Sequence, residues 1–221
     1  MEELKNLQFE RMLKPAQERL RKYSIEELCC KSGLQFDDQS SAFTVKCIGK
    51  NMHIHYPEFT ISLDSPTETI DGWIREPEMW LYLTLLQYLD TADGTPMSET
   101  TITLQQMRGG ISRGRGYEHH IDTMYAKTLS QIKTSQFETA CRALDAEFLF
   151  GKADVTAKIY FAPRFPVIVN FWEGDEEFPA SVKTLLNGSA EHYLTIEAAG
   201  GVCLSVVEAI HREIFSQNTL L

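Results

Sequence analysis

Apolar and polar positions divide the chain into alternating helical and extended segments. Over residues 2–23 Leu4, Leu7, Met12, Leu13, Leu20 and Tyr23 make a rough apolar stripe at helical spacing, with Pro15 placed to break or kink it. Ser24 opens a second, short helix: Ser24 with Glu27 is a capping box and Gly33 suits the stop. Residues 2–33 thus read as an N-terminal helical hairpin. Strict alternation follows in Ala42–Ile48, a turn at Gly49-Lys50-Asn51, and a return over Met52–Tyr56, with Phe59–Leu63 a candidate third strand.

From Pro77 to about Thr91 the chain is apolar nearly all round, as a central core helix is, and Asp93-Gly94-Thr95-Pro96 stops it. Thr100–Leu104 reads as a short strand. Arg108–Gly116, with four glycines and three arginines, reads as a loop, and helices are expected over roughly 117–133 and 135–146. A second hairpin pairs 154–162 with 166–172, Val182–Leu186 is a further strand, and Val202, Val206, Ile210 and Ile214 mark a last helix from about Thr195 to Ser216. Helices and hairpins mix without a βαβ rhythm. The expected fold is α+β, one domain over residues 1–221, with mixed helices and antiparallel hairpins.

Length and composition fit a globular chain: 221 residues, 43% hydrophobic and 24% charged, which excludes collagen-like and disordered classes. The formal charge of −10 is uneven, because residues 51–100 hold nine acids and one base, Arg75. That balance repels phosphate backbones and makes nucleic acid an unlikely partner. Five cysteines, odd in number and without a C-x-x-C, read as reduced thiols. The charged N-terminus lacks the apolar core of a signal peptide, and the longest apolar run, Met79–Leu89, is about half of the ~20 residues a membrane span requires. A cytoplasmic location is expected.

Four groups of residues are chemically suggestive. Glu173, Asp175, Glu176 and Glu177 put four carboxylates into five residues, able to hold a cation or to act in acid/base chemistry, or to serve only as a solvated hairpin exit. His192-Tyr193 can contact a ligand or move protons. His53-x-His55 places two imidazoles on one strand face, roughly 7 Å apart, short of a metal site unless His119 or His120 supplies a third ligand. The Arg108–Tyr117 segment combines glycine amides, Arg113 and Arg115 with a following helix, a setting for an anion. No G-x-S-x-G, H-E-x-x-H or kinase set occurs.

Three stretches together carry a family likeness: Leu89–Pro96 after the apolar helix, Phe171–Pro179 after the second hairpin, and Ser189–Leu194 before the last helix. In order and spacing, and with the Gly109-Gly110 pair between them, they resemble a bacterial domain of unknown function, family 3786, found mostly in anaerobic bacteria. The resemblance spans roughly residues 10–215. It implies no fixed activity, but points to anaerobic cofactor metabolism, with a corrinoid or related metallocofactor as the guess. The chain departs from the family pattern in having Thr195-Ile196-Glu197-Ala198 where Pro and an acidic pair are usual. No iron–sulfur cysteine spacing is present.

The leading expectation is a small-ligand or cofactor-binding protein. Its cleft would be lined by Asp93, Gly109, Gly110, Arg113, the Trp172–Phe178 loop (Trp172, Glu173, Asp175, Glu176, Glu177), His192 and Tyr193. Arg113 or Arg115 would hold an anionic group, Trp172 or Tyr193 would stack on a flat ligand, and His192 would be a polar or axial contact. The alternatives are an enzyme, with an acidic-loop carboxylate as base and His192 as acid, and a scaffold whose acidic 51–100 stretch docks a basic protein partner.

Overall fold

The structure is a computed structural model, and it describes residues 2–64 and 76–217. Of the acidic 51–100 stretch, Glu68, Asp71 and Arg75 lie outside the described residues.

The first helix, α1 (Glu2–Leu20), runs through Pro15 without stopping. Proline deletes one backbone donor, but here it lies on the solvent side, where water can serve the carbonyl left without a partner, while Ala16 and Leu20 on the other side are buried. Helix α2 (Ile25–Ser32) begins at the expected capping box and ends at Gly33, whose φ of 75° is the left-handed value that favours glycine. A three-residue strand missed in the sequence, β1 (Gln35–Asp37), follows, and then β2 (Ala42–Cys47), β3 (Lys50–His55) and β4 (Thr60–Leu63). These form a four-stranded antiparallel meander in the order β1-β2-β3-β4.

Helix α3 (Glu76–Thr91) supplies buried Leu85, Leu86, Tyr88 and Leu89 to the interior. After β5 (Thr101–Ile102) and a single 3-10 turn (Leu104–Gln106) comes α4 (Gly110–Leu129). This corrects the expected loop at 108–116: after Arg108 and the capping Gly109, residues 110–116 form the first two turns of a helix. The reason is contact. A Cβ on Gly110 would stand 2.1 Å from the Leu104 carbonyl oxygen, and one on Gly114 2.5 Å from the Leu104 carbonyl carbon. The glycines let the helix lie directly on the preceding turn, and that close packing outweighs their low helix propensity.

Helix α5 (Thr134–Ala143), β6 (Glu147–Phe148), β7 (Val155–Ala162), β8 (Phe165–Trp172), β9 (Ser181–Asn187) and α6 (Ile196–Gln217) complete the chain. The second sheet is antiparallel in the order β5-β9-β8-β7-β6. Its alternation buries Val167, Val169 and Phe171 of β8 and Val182, Thr184 and Leu186 of β9. Phe137 of α5 stacks on Phe171, with centroids 4.3 Å apart and planes 7° from parallel. Helices α4, α5 and α6 pack on this sheet, and one continuous cluster of buried apolar side chains reaches from Phe43, Val45 and Ile54 of the first sheet into the second. The sheets meet where the β2–β3 turn reaches β7: Ile48 donates its N–H to the Tyr160 carbonyl at 2.8 Å. The fold is α+β, as the absence of a βαβ rhythm predicted.

Candidate functional site

Tyr193 is the anchor of the His192-Tyr193 dipeptide. Its side chain is fully buried, and it stacks on Tyr88 of α3 at 5.4 Å between centroids. Its hydroxyl donates to the Thr95 carbonyl, and the Thr91 hydroxyl donates to the Tyr193 carbonyl. Arg164, in the β7–β8 turn, reaches the Tyr193 hydroxyl at 3.5 Å and the Lys31 carbonyl at 3.2 Å, and its N–H donates to the Tyr88 hydroxyl at 3.2 Å. Tyr88 in turn donates to the Ser32 carbonyl at 2.5 Å, and burial pushes its phenol well above the usual range. Buried polar groups need such partners. The result is a knot joining α2, α3, the β7–β8 turn and the 93–95 segment.

That knot sets the neighbouring His192 at the surface. Its Nδ1 lies 2.6 Å from Asp93 Oδ2 and 3.1 Å from Thr95 Oγ1. The hydrogen bond from His192, with those from Thr95, holds the Asp93 carboxyl down at about 2. Both side chains are about half exposed. A carboxylate on Nδ1 fixes the imidazole's orientation and tautomer, leaving Nε2 as the outward nitrogen.

Asp93, His192 and Tyr193 are therefore together. The acidic loop is elsewhere. It leaves β8 after Trp172, which pairs with Ser181 at the start of β9, whereas His192 follows the far end of β9 at Asn187. Six residue steps of strand separate those ends, roughly 20 Å. Glu173 is committed to α5: it accepts from the Lys133 ammonium at 2.8 Å, the Thr134 N–H at 2.7 Å and the Thr134 hydroxyl at 2.8 Å, which hold its carboxyl down at about 2. Asp175 folds back on its own loop, accepting from the N–H groups of Glu177 and Phe178. Glu176 and Glu177 are exposed. The single cleft joining the acidic loop to His192 is not formed, and an acid/base pair between them has no geometric basis. Sequence patterning cannot show this, because both segments flank the same strand and only its direction sets them apart.

Two other expected roles change. Tyr193, fully buried, presents no face for stacking. The anion setting at the start of α4 is partly occupied from within: the Glu191 carboxylate accepts from the Arg108 N–H and Arg113 pairs with Glu197, while Arg115 is exposed. Gly109 caps the helix at φ 77°. Trp172 is half-buried, with the Lys183 ammonium 6.0 Å above its ring. His53 is held by Asp64 at 2.5 Å and His55 by Ser62 at 2.8 Å, while His119 and His120 lie on the exposed side of α4. Among the described residues no group of three His, Cys, Asp or Glu side chains is arranged to hold a metal ion. Of the acids proposed as a docking surface, Asp64, Asp90 and Asp93 are engaged by His53, Arg19 and His192.

The feature that sequence reasoning missed is a groove of about 680 Å³ between α3, α4 and the N-terminal half of α6. Leu83, Val202 and Leu204 give it apolar walls, Trp80 stands at its rim 63% exposed, and Gln87 and Thr195 are joined across it at 3.4 Å. The only signal in the sequence is that α3 is apolar on more faces than one core contact uses.

The family model of a domain of unknown function, DUF3786, matches residues 24–209. The chain belongs to that family. The match takes in all of the Asp93–His192–Tyr193 knot and the groove. Neither curated proteins nor solved structures give a match to this DUF3786 chain. Among its described residues no helix is long and apolar enough to cross a membrane.

Proposed function

We propose that this DUF3786 protein binds a small, mainly apolar ligand in the α3–α6 groove. The observation that carries the reading is the groove itself: its volume falls within the range of roughly 300–1,000 Å³ usual for ligand pockets, and its exposed lining is mainly apolar, with polar groups from Thr84, Gln87, Tyr117, Thr195, Glu197, Ser205 and Glu208. Trp80 offers a flat partner for a flat ligand. Thr195, where the family resemblance leads one to expect Pro, stands in the wall, so the ligand preference is expected to differ from that of relatives carrying the usual residue there.

The Asp93–His192 pair, which is not among the residues lining the groove, favours a second reading in which a metallocofactor such as a corrinoid binds beside His192. Among the described residues no cluster of three metal-ligating side chains is found, but a macrocycle that brings its own metal needs one protein ligand, and His192 with Asp93 behind it has the form of an oriented imidazole. Such a cofactor would supply the metal chemistry. The chain would supply the imidazole and a carboxylate to hold it.

The test is titration of the tryptophan emission with cobinamide, haem and a set of nucleotides, repeated in Gly201→Phe. Gly201 lines the groove, and a Cβ there meets nothing within 4 Å, so the added ring fills the groove rather than the core. Saturable quenching that weakens at least tenfold in Gly201→Phe is expected. His192→Ala weakens the binding of cobinamide or haem in addition if the metallocofactor reading holds. Silence across the panel, or quenching indifferent to Gly201→Phe, overturns the groove as the binding site.

A further inference from the structure

A second cavity of about 260 Å³ lies on another flank of α4, against β9. Its polar lining is unbalanced. Glu118 and Asp122, one helical turn apart, both face it, with Gln105 from the turn before α4 and Thr184 from β9. One Glu118 oxygen accepts from the Gln105 amide at 2.5 Å, but the other, Oε1, is buried without a hydrogen-bond partner. The Thr184 hydroxyl, on a residue only 6% exposed, has no oxygen or nitrogen partner either, its polar neighbour being the buried Cys203 thiol. Those two are the buried side-chain atoms left unsatisfied among the described residues, and both belong to this one cavity. A buried polar group without a partner costs about 1–3 kcal/mol, more when charged, so the unpaired Glu118 oxygen, with the Thr184 hydroxyl beside it able to accept as well as donate, marks a missing partner.

The missing partner is a donor. The lysine in its lining, Lys183, is exposed at the rim, its ammonium over the Trp172 ring, and it leaves Glu118 Oε1 unpaired. Burial raises the Asp122 carboxyl and Glu118 raises it further, while Lys183 opposes them. Beyond its pairing with β5 at Leu186 and Asn187, β9 has no strand on its outer edge among the described residues, so its backbone borders the cavity as well. Ile121, Val182 and Leu185 add apolar wall.

We propose that this cavity binds the primary ammonium group of a small molecule. Three N–H donors match the acceptors of Glu118, Asp122 and Thr184, and the short apolar walls take one or two carbons beyond the nitrogen. A simple amine and an amino acid share this chemistry. In the second, the carboxylate would meet Lys183 at the rim.

The experiment is a ¹H–¹⁵N NMR titration of the full chain with ethylammonium, ethanol and glycine. Saturable shifts centred on the Gln105 side-chain amide and the Val182–Leu185 amides are expected for ethylammonium and not for ethanol. Glu118→Gln weakens binding about tenfold or more, the loss of one charge-assisted bond, and Asp122→Asn does the same should Glu118→Gln disturb the fold. Glycine binding more tightly than ethylammonium, with the gain removed by Lys183→Ala, supports the proposal and identifies an amino acid. Glycine binding no more tightly supports it and identifies an amine. No saturable shift with ethylammonium, equal shifts with ethanol, or binding untouched by both carboxylate variants overturns it.

Discussion

His192 and Asp93 meet at 2.6 Å across 99 residues of chain, and the contact exists because Tyr193, the next residue, is locked against Tyr88 and Thr95 beneath it. A half-exposed hydrogen-bonded pair of this kind has little stabilising power, about 1 kcal/mol or less. Asp93→Asn is therefore expected to lower stability by no more than that near neutral pH. Its clearer mark is in acid. The Asp93 carboxyl is depressed to about 2 in the folded protein, against about 3.9 in an unfolded chain. Its stabilisation is full above pH 4 and is lost as pH falls toward 2. Urea unfolding at stepped pH should show a shallower acid decline in Asp93→Asn. Superimposable acid limbs would mean the pair is not formed.

The tyrosines beneath should matter more. Tyr193→Phe removes a buried hydroxyl that donates to the Thr95 carbonyl and receives Arg164. Tyr88→Phe strips a donor from the Ser32 carbonyl and an acceptor from the Arg164 N–H. Each is expected to cost about 1–3 kcal/mol in urea unfolding, because partners are left buried and unpaired. Since both hydroxyls serve Arg164, the double variant should lose measurably less than the sum of the singles. Strict additivity would argue against a shared network.

Much of this architecture is legible from residues alone, and the failures are physical. Ser24, Glu27 and Gly33 announce α2 because a cap is a local interaction, and Ala42–Cys47 and Val155–Ala162 announce strands because one buried face imposes a period of two. Arg108–Gly116 misleads because the reward for helix there is contact between Gly110, Gly114 and the Leu104 carbonyl, which no local pattern encodes. The site follows the same division. The Asp93, His192 and Tyr193 segments are visible as motifs and do converge, whereas the acidic loop is an equally visible motif that points away. The groove and the Glu118 cavity arise from the spacing between elements, and no residue type signals them.

The helical glycines make that packing argument testable. Gly110→Ala, with its methyl driven against the Leu104 carbonyl oxygen, and Gly200→Ala, whose Cβ would stand 2.3 Å from the Tyr117 ring, should each destabilise. The expected cost is about 1–3 kcal/mol, the range for overpacking. Gly116→Ala lies in the same α4 helix with nothing within 4 Å. It should stabilise by about 0.5–1 kcal/mol through helix propensity alone. Thermal or urea midpoints moving the same way in Gly110→Ala and Gly116→Ala would contradict the close approach.

Glu173 yields the last prediction, because its place separates structure from function. Its oxygens close the start of α5 through Thr134 and Lys133, a capping arrangement reached from another strand rather than from the helix's own N-cap. Glu173→Gln should lower the unfolding midpoint at neutral pH and bring it close to that of the parent near pH 2. The depressed carboxyl, at about 2, contributes only where it is ionised in the folded state. Quenching by groove ligands should be unchanged, since Glu173 lies at the opposite end of β9 from His192. A variant with parental stability throughout the pH range but impaired ligand binding would return the acidic loop to the functional site and remove it from the role of a helix cap.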